Sequence, residues 1–217
     1  MILRRPIICS ILSALWVSAC SILGPDIPRR VVRVKVVADV PFRSRNSDWE
    51  KEARGLLEAA SDYYEREFDI RFAAQSVSPW PISERIDSTP ALLAKLKKEF
   101  PVSARDGSYD LLVAFSGENV SGYISAGRAR VDRIGNCQQG LASFAVVPIH
   151  KVFHYQGTDA EPELDVVALI HELAHVFGAE HVEDINSIMN ENFGYRTEFD
   201  AKNRSVILNN RACPFAK

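Results

Sequence analysis

Hydrophobic positions change their period several times along the chain. Val31 to Val40 is rich in β-branched residues and predicts a first strand. Ser47-Asp48-Trp49-Glu50 reads as a capping box opening a helix. Trp49, Ala53, Leu56, Leu57, Ala60 and Tyr64 then recur at helical spacing and give it one apolar face. Asp69 to Gln75 predicts a second strand, and residues 77–87 read as irregular. Thr89-Pro90 opens another helix with Leu92, Leu93, Leu96 and Phe100 inward and Pro101 as its stop. Tyr109 to Phe115 predicts a buried strand, Tyr123 to Val131 an edge strand, and Ala142 to Ile149 a further apolar strand. A helix is expected from about Pro162 to Phe177, and a last one from near Thr197. No internal repeat or low-complexity segment interrupts this order. Strand–helix alternation with one edge pair predicts an α/β (α+β) fold, a mixed and mostly parallel sheet with helices packed on it.

The N-terminus departs from this pattern. Arg4 and Arg5 precede an apolar run from Pro6 to Ala19, shorter than the roughly 20 residues that span a bilayer. A basic start, a short apolar core and small residues at its end make an export signal over residues 1–19. Val17-Ser18-Ala19-Cys20 resembles the lipobox of bacterial lipoproteins, in which the cysteine is lipidated and becomes the new N-terminus. Cys9 does not compete, because bulky Ile8 precedes it. An ordinary cleaved signal with an incidental cysteine is the alternative. Several acyl chains on Cys20 would anchor the protein stably to a membrane, where one chain is marginal. Ser21, where an aspartate often marks inner-membrane retention, favours the outer membrane in a two-membrane envelope. Residues 20–30 form a Pro- and Gly-containing tether, and 31–217 one domain.

Charge narrows the partners. Of 217 residues, 26 are Lys or Arg and 28 Asp or Glu, a formal net charge of −2. That is no nucleic-acid footprint, which requires a strongly basic face. The cluster Lys95, Lys97 and Lys98 reads as a solvated helix surface.

The chemistry concentrates in His171-Glu172-Leu173-Ala174-His175-Val176-Phe177-Gly178-Ala179-Glu180-His181. His171 and His175 are four apart, so they project from one helix face and can bind one tetrahedral zinc. Glu172 adjoins the first of them, within reach of a water at that metal. His181 cannot join by continuing the helix, which would carry it about 9 Å onward and about 120° off the face. The chain must turn back, and Gly178 supplies a residue that accepts the left-handed conformation ending helices. Ser187-Ile188-Met189-Asn190 follows, with the one methionine beyond the initiator. A lone HExxH is a weak signal; the third histidine, the glycine and the spaced methionine together make coincidence improbable.

With these residues in place the chain resembles the metzincin clan of zinc endopeptidases, matrixin-like in the distance to the methionine, from about Val31 to Cys213. The resemblance implies one catalytic Zn2+ on His171, His175 and His181, Glu172 as general base, and Met189 as an apolar floor beneath the metal. It implies a five-stranded sheet with one antiparallel edge strand, a backing helix and a zinc helix. An upper subdomain would span 31–178 and a small lower one, ending in a helix, 179–217. It further implies hydrolysis of peptide bonds in a protein or peptide lying extended along the edge strand, with Phe193 and Tyr195 walling the specificity pocket. Val182 stands where subfamilies carry a characteristic polar residue or proline, so the likeness is to the clan and only loosely to one branch. No cysteine-switch prosegment is visible. The adamalysin branch ties a similar loop to its C-terminal tail, and Cys137 and Cys213 resemble that disulfide; both lie in a chain expected to leave the reducing cytoplasm. Two separate buried thiols are the alternative. His150 and His154 raise the idea of a second, structural zinc, although paired loop histidines are more often polar surface residues. A monomer is expected. The competing class is a non-catalytic zinc-containing binding lipoprotein of the cell envelope, and Glu172 argues against it.

Overall fold

The computed structural model describes residues 30–82, 84, 86, 88–117, 130–158, 160–192, 194 and 196–216. The expected signal, Cys20, nearly all of the tether, Phe193, Tyr195 and most of the expected edge strand lie outside them. Strands β1 (Arg30–Ala38), β2 (Ile70–Pro79), β3 (Leu111–Ser116), β4 (Arg130–Val131) and β5 (Phe144–Pro148) form one sheet in the order β2-β1-β3-β5-β4. The β1–β2, β1–β3 and β3–β5 pairs are parallel, and β4 runs antiparallel to β5 at the end of the sheet. This is the mixed, mostly parallel five-stranded sheet expected of a metzincin-like fold.

The sheet is covered on both faces, which explains the unbroken apolar runs Leu111–Ser116 and Phe144–Pro148, buried at every position. Successive residues of β3 point to opposite sides. Leu111, Val113 and Phe115 join the larger core with helices α2 (Trp49–Phe68) and α4 (Leu164–Val176). Leu112 and Ala114 pack instead with Leu92 and Leu96 of α3 (Thr89–Glu99) and with Trp80. A short helix α1 (Val40–Arg43), capped by Asp39, and a 3-10 turn at Val102–Ala104 complete the upper part; α5 (Ala201–Asn210) closes the chain. Among the described residues no helix is long and apolar enough to cross a membrane.

Several boundaries differ from expectation. β1 ends at Ala38 and Val40, expected to end the strand, opens α1, where Asp39 caps a helix; α4 starts at Leu164 rather than about Pro162. β2 runs to Pro79, into the segment read as irregular. It stays paired with β1 through a register shift at Val34/Lys35, so backbone pairing outweighs its polar composition. The expected capping box does not close, for Asp48 is the N-cap of α2 and makes no side-chain cap bond. Asn46 Oδ1 accepts the Asp48 N–H at 2.9 Å instead, a turn two residues long. The last helix begins at Ala201 rather than near Thr197, because Glu198 pairs with Ser187 and Asp200 caps the helix.

Candidate metal centre

Helix α4 runs through the molecule's interior, with eleven of its thirteen residues buried, Asp165–Val167 and Leu169–Val176. A helix apolar on nearly all sides needs such a place. On its N-terminal side the Asp165 carboxylate accepts the backbone N–H groups of His150 and Lys151, at 2.8 and 3.1 Å, and pairs with the His150 ring at 3.1 Å. His150 is thereby occupied in tying a loop to the helix.

The other end terminates in a Schellman arrangement. Gly178 N–H donates to His175 O at 3.0 Å and Ala179 N–H to Ala174 O at 3.1 Å. Gly178 has φ 97°. A Cβ there would lie 2.4 Å from the Gly135 carbonyl oxygen and 2.7 Å from Asn210 Nδ2, so both conformation and space call for glycine. The chain reverses, and His181 returns to the face carrying His171 and His175.

The three Nε2 atoms then stand 3.1 Å (His171–His175), 3.1 Å (His171–His181) and 3.2 Å (His175–His181) apart. Ligands about 2.05 Å from a tetrahedral metal are separated by about 3.3 Å, so this triangle is of the size that zinc takes. The opposite ring nitrogens explain the aim. His171 Nδ1 donates to Ile188 O at 2.7 Å, His175 Nδ1 to Ala179 O at 2.6 Å, and His181 Nδ1 lies 3.2 Å from Glu191 Oε1. A carbonyl can only accept, so Nδ1 of the first two rings keeps its proton and Nε2 presents a lone pair to the centre. Burial, followed by the neighbouring His175, holds the His171 pKa down to about 3. Burial likewise holds His175 at about 4. Both rings are therefore neutral at neutral pH, the form that binds metal. Among the described residues this is the one cluster of three or more metal-ligating side chains.

Glu172 is 7% exposed. Burial pushes its carboxyl up to about 8, against the pull of Arg130 on the edge strand. Tyr64 of α2, itself fully buried, donates to the Ile170 carbonyl at 2.8 Å and steadies the helix beside the first histidine.

Met189 is fully buried in a turn whose Ile188 carbonyl meets His171. The turn is held by groups that periodicity and motif did not single out. Ser187 Oγ accepts the Met189 N–H at 3.0 Å and donates to Asp200 Oδ2 at 2.8 Å. Asp200 Oδ1 accepts the Asn203 N–H at 2.9 Å as the α5 cap. Ile188, whose carbonyl orients His171, has its own N–H bound to Glu198 O at 2.7 Å. A serine two residues before the methionine and an aspartate before the last helix were the available signals. Cys137 and Cys213 form a disulfide with Cα atoms 5.1 Å apart, joining the loop after β4 to the tail after α5. Phe193 and Tyr195, expected in a specificity pocket, and Cys20, expected to carry lipid, lie outside the described residues.

A model of metallopeptidase family M12, described as Reprolysin_5, matches residues 28–215. No curated protein matches the chain by sequence. Among solved structures, archaemetzincin from Methanopyrus kandleri superposes with a TM-score of 0.53 at 19% identity, over 87% of this chain and 98% of that one. A structure described as a chaperone–substrate complex gives a TM-score of 0.59 at 12% identity, over 85% of this chain and 34% of that one.

Proposed function

The chain belongs to metallopeptidase family M12 and is a zinc metalloendopeptidase, and from that premise we propose that His171, His175 and His181 hold the metal while Glu172 is the general base. The observation that carries this is the triangle of Nε2 atoms, 3.1–3.2 Å on a side, with the opposite nitrogens of His171 and His175 bonded to carbonyls. Three imidazoles would hold the metal and, among the described residues, the cluster has no fourth protein ligand, as in a catalytic rather than a closed structural site. Zinc there supplies Lewis acidity, lowering the pKa of water towards about 7 and polarising the scissile carbonyl.

Glu172 does the proton work. Its carboxylate takes the proton from the attacking water and delivers it to the departing amine, so the base of the first step is the acid of the second. Burial alone favours its protonated form; a dication beside it favours the carboxylate. The buried surroundings keep bulk water from competing for that proton. An extended peptide would add as a strand along β4, at the end of the sheet, with main-chain hydrogen bonds setting its register. The proposal places the enzyme in a bacterial envelope, exported by residues 1–19 and anchored through lipid on Cys20.

The test is zinc content together with cleavage of a peptide library, wild type beside Glu172→Ala. One zinc per chain is expected in both, with turnover lower by about 100- to 10,000-fold in the variant. Equal turnover would remove Glu172 from the mechanism, and a wild type without zinc would remove the metal site.

A further inference from the structure

His171 and His175 are carried by a helix, but His181 is not. It follows a turn, its side chain is 43% exposed, and its ring is steadied by an exposed carboxylate, Glu191. What places its backbone is α5. Asn203 is fully buried, and its amide spans Glu180, the residue before the ligand. Oδ1 accepts the Glu180 N–H at 2.9 Å and Nδ2 donates to the Glu180 carbonyl at 2.9 Å. The second Nδ2 hydrogen goes to Asp200 Oδ2 at 2.8 Å, so every donor of the amide is used and its orientation is determined.

Seven positions on, Asn210 Nδ2 donates to the Phe177 carbonyl at 2.8 Å. Residues seven apart share a helix face, about 10 Å along the axis. The two asparagines therefore grip both ends of the turn that leads from the second histidine to the third. Phe177 O belongs to the group of carbonyls that a helix end leaves without intrahelical partners, and Asn210 supplies one. The same helix meets the methionine turn through Asp200 and Ser187.

We propose that Asn203 and Asn210 are positioning residues for the third metal ligand, acting through the backbone of Glu180 and Phe177. The inference rests on the reading of His181 as a ligand. Groups hydrogen-bonded to a metal ligand are worth about 10- to 100-fold in metal affinity, which sets the upper end for asparagines that act through the backbone leading to it.

The experiment uses the full exported chain as wild type, Asn203→Ala, Asn210→Ala and, as control, Arg204→Ala. Arg204 also secures α5, through Glu67 and the Phe68 ring of α2, but it does not touch the turn. Zinc release to a chromophoric chelator, the visible spectrum of the cobalt-substituted protein, and kcat and KM on one cleaved peptide are measured. Both asparagine variants are expected to release zinc faster, by up to about 10- to 100-fold if the whole loss of affinity lies in the release rate. Their cobalt spectra should change and kcat should fall with KM nearly constant. Arg204→Ala should match wild type in release and spectrum. Folded asparagine variants with wild-type release and spectrum overturn the proposal. So does an Arg204→Ala variant that shifts both equally, since general helix docking then suffices. If Asn203→Ala does not fold, Asn210→Ala, which loses a single bond at a half-buried position, decides alone. A wild type that binds no zinc overturns the reading of the site instead.

Discussion

Gly178→Ala is the smallest change that tests how the third histidine is brought to the other two. An alanine held at φ 97° costs about 1–3 kcal/mol in backbone strain. Its Cβ would also stand 2.4 Å from the Gly135 carbonyl oxygen and 2.7 Å from Asn210 Nδ2. Gly135 is backbone and cannot rotate away, and its N–H is bound to His175 O at 2.9 Å. Retreat of Gly135 endangers that bond, and retreat of Asn210 the one to Phe177 O at 2.8 Å; each is worth about 0.5–1.5 kcal/mol. Together the zinc-loaded protein should lose about 2–6 kcal/mol. The division between stability and affinity is informative. Strain present with and without zinc lowers stability alone, whereas strain that the metal-free turn escapes by relaxing appears as weaker binding, tenfold for each 1.4 kcal/mol. Denaturant unfolding of loaded and metal-free protein, with zinc affinity by chelator competition, separates the two. A combined loss below about 1 kcal/mol would mean that the turn tolerates a side chain and that the glycine argument fails.

Acid should destabilise the metal-free protein. His171 and His175 are held at about 3 and about 4 against an ordinary 6.5. Their contribution is therefore complete above pH 6.5 and lost as pH falls towards 4 and 3; a midpoint unchanged from pH 7 to pH 4.5 would contradict this. Glu172, raised to about 8 from 4.5, acts in the opposite sense: its contribution is complete below 4.5 and lost as pH rises through 8. Glu172→Gln should flatten that limb, and an unaltered alkaline slope would assign it to other groups. The Cys137–Cys213 bridge closes a 76-residue separation, and the chain-entropy model gives it about 4.5 kcal/mol. Reduction should lower the unfolding midpoint, and no shift would deny the bridge a structural role. Fatty-acid labelling of cells is expected to mark the wild type but not Cys20→Ala; equal labelling would exclude that cysteine.

Most of the candidate metal site was legible because it is local. A spacing of four sets two histidine rings on one helix face, and a further spacing of six with a glycine inside it requires a turn that only a few conformations satisfy. The strands were legible for a similar reason, since a sheet buried on both faces demands the continuous apolar runs seen at Leu111–Ser116 and Phe144–Pro148. Local signals failed where a distant partner decided. Ser76 and Ser78 look like loop residues, yet β1 holds them in a strand. The expected start near Thr197 gave way because Glu198 is engaged with Ser187. The orientation of each imidazole likewise depends on groups outside the spacing rule: the Ile188 carbonyl, which a turn brings beneath His171, the Ala179 carbonyl past the helix end, and the Glu191 carboxylate. Asn203 and Asn210 resemble ordinary polar helix residues in the sequence. Only packing of α5 against the turn shows one of them buried and both bonded to the backbone that leads to His181. Spacing along a helix is a property of neighbouring residues, whereas the partner of a buried polar group is set by whichever distant segment the fold brings to it.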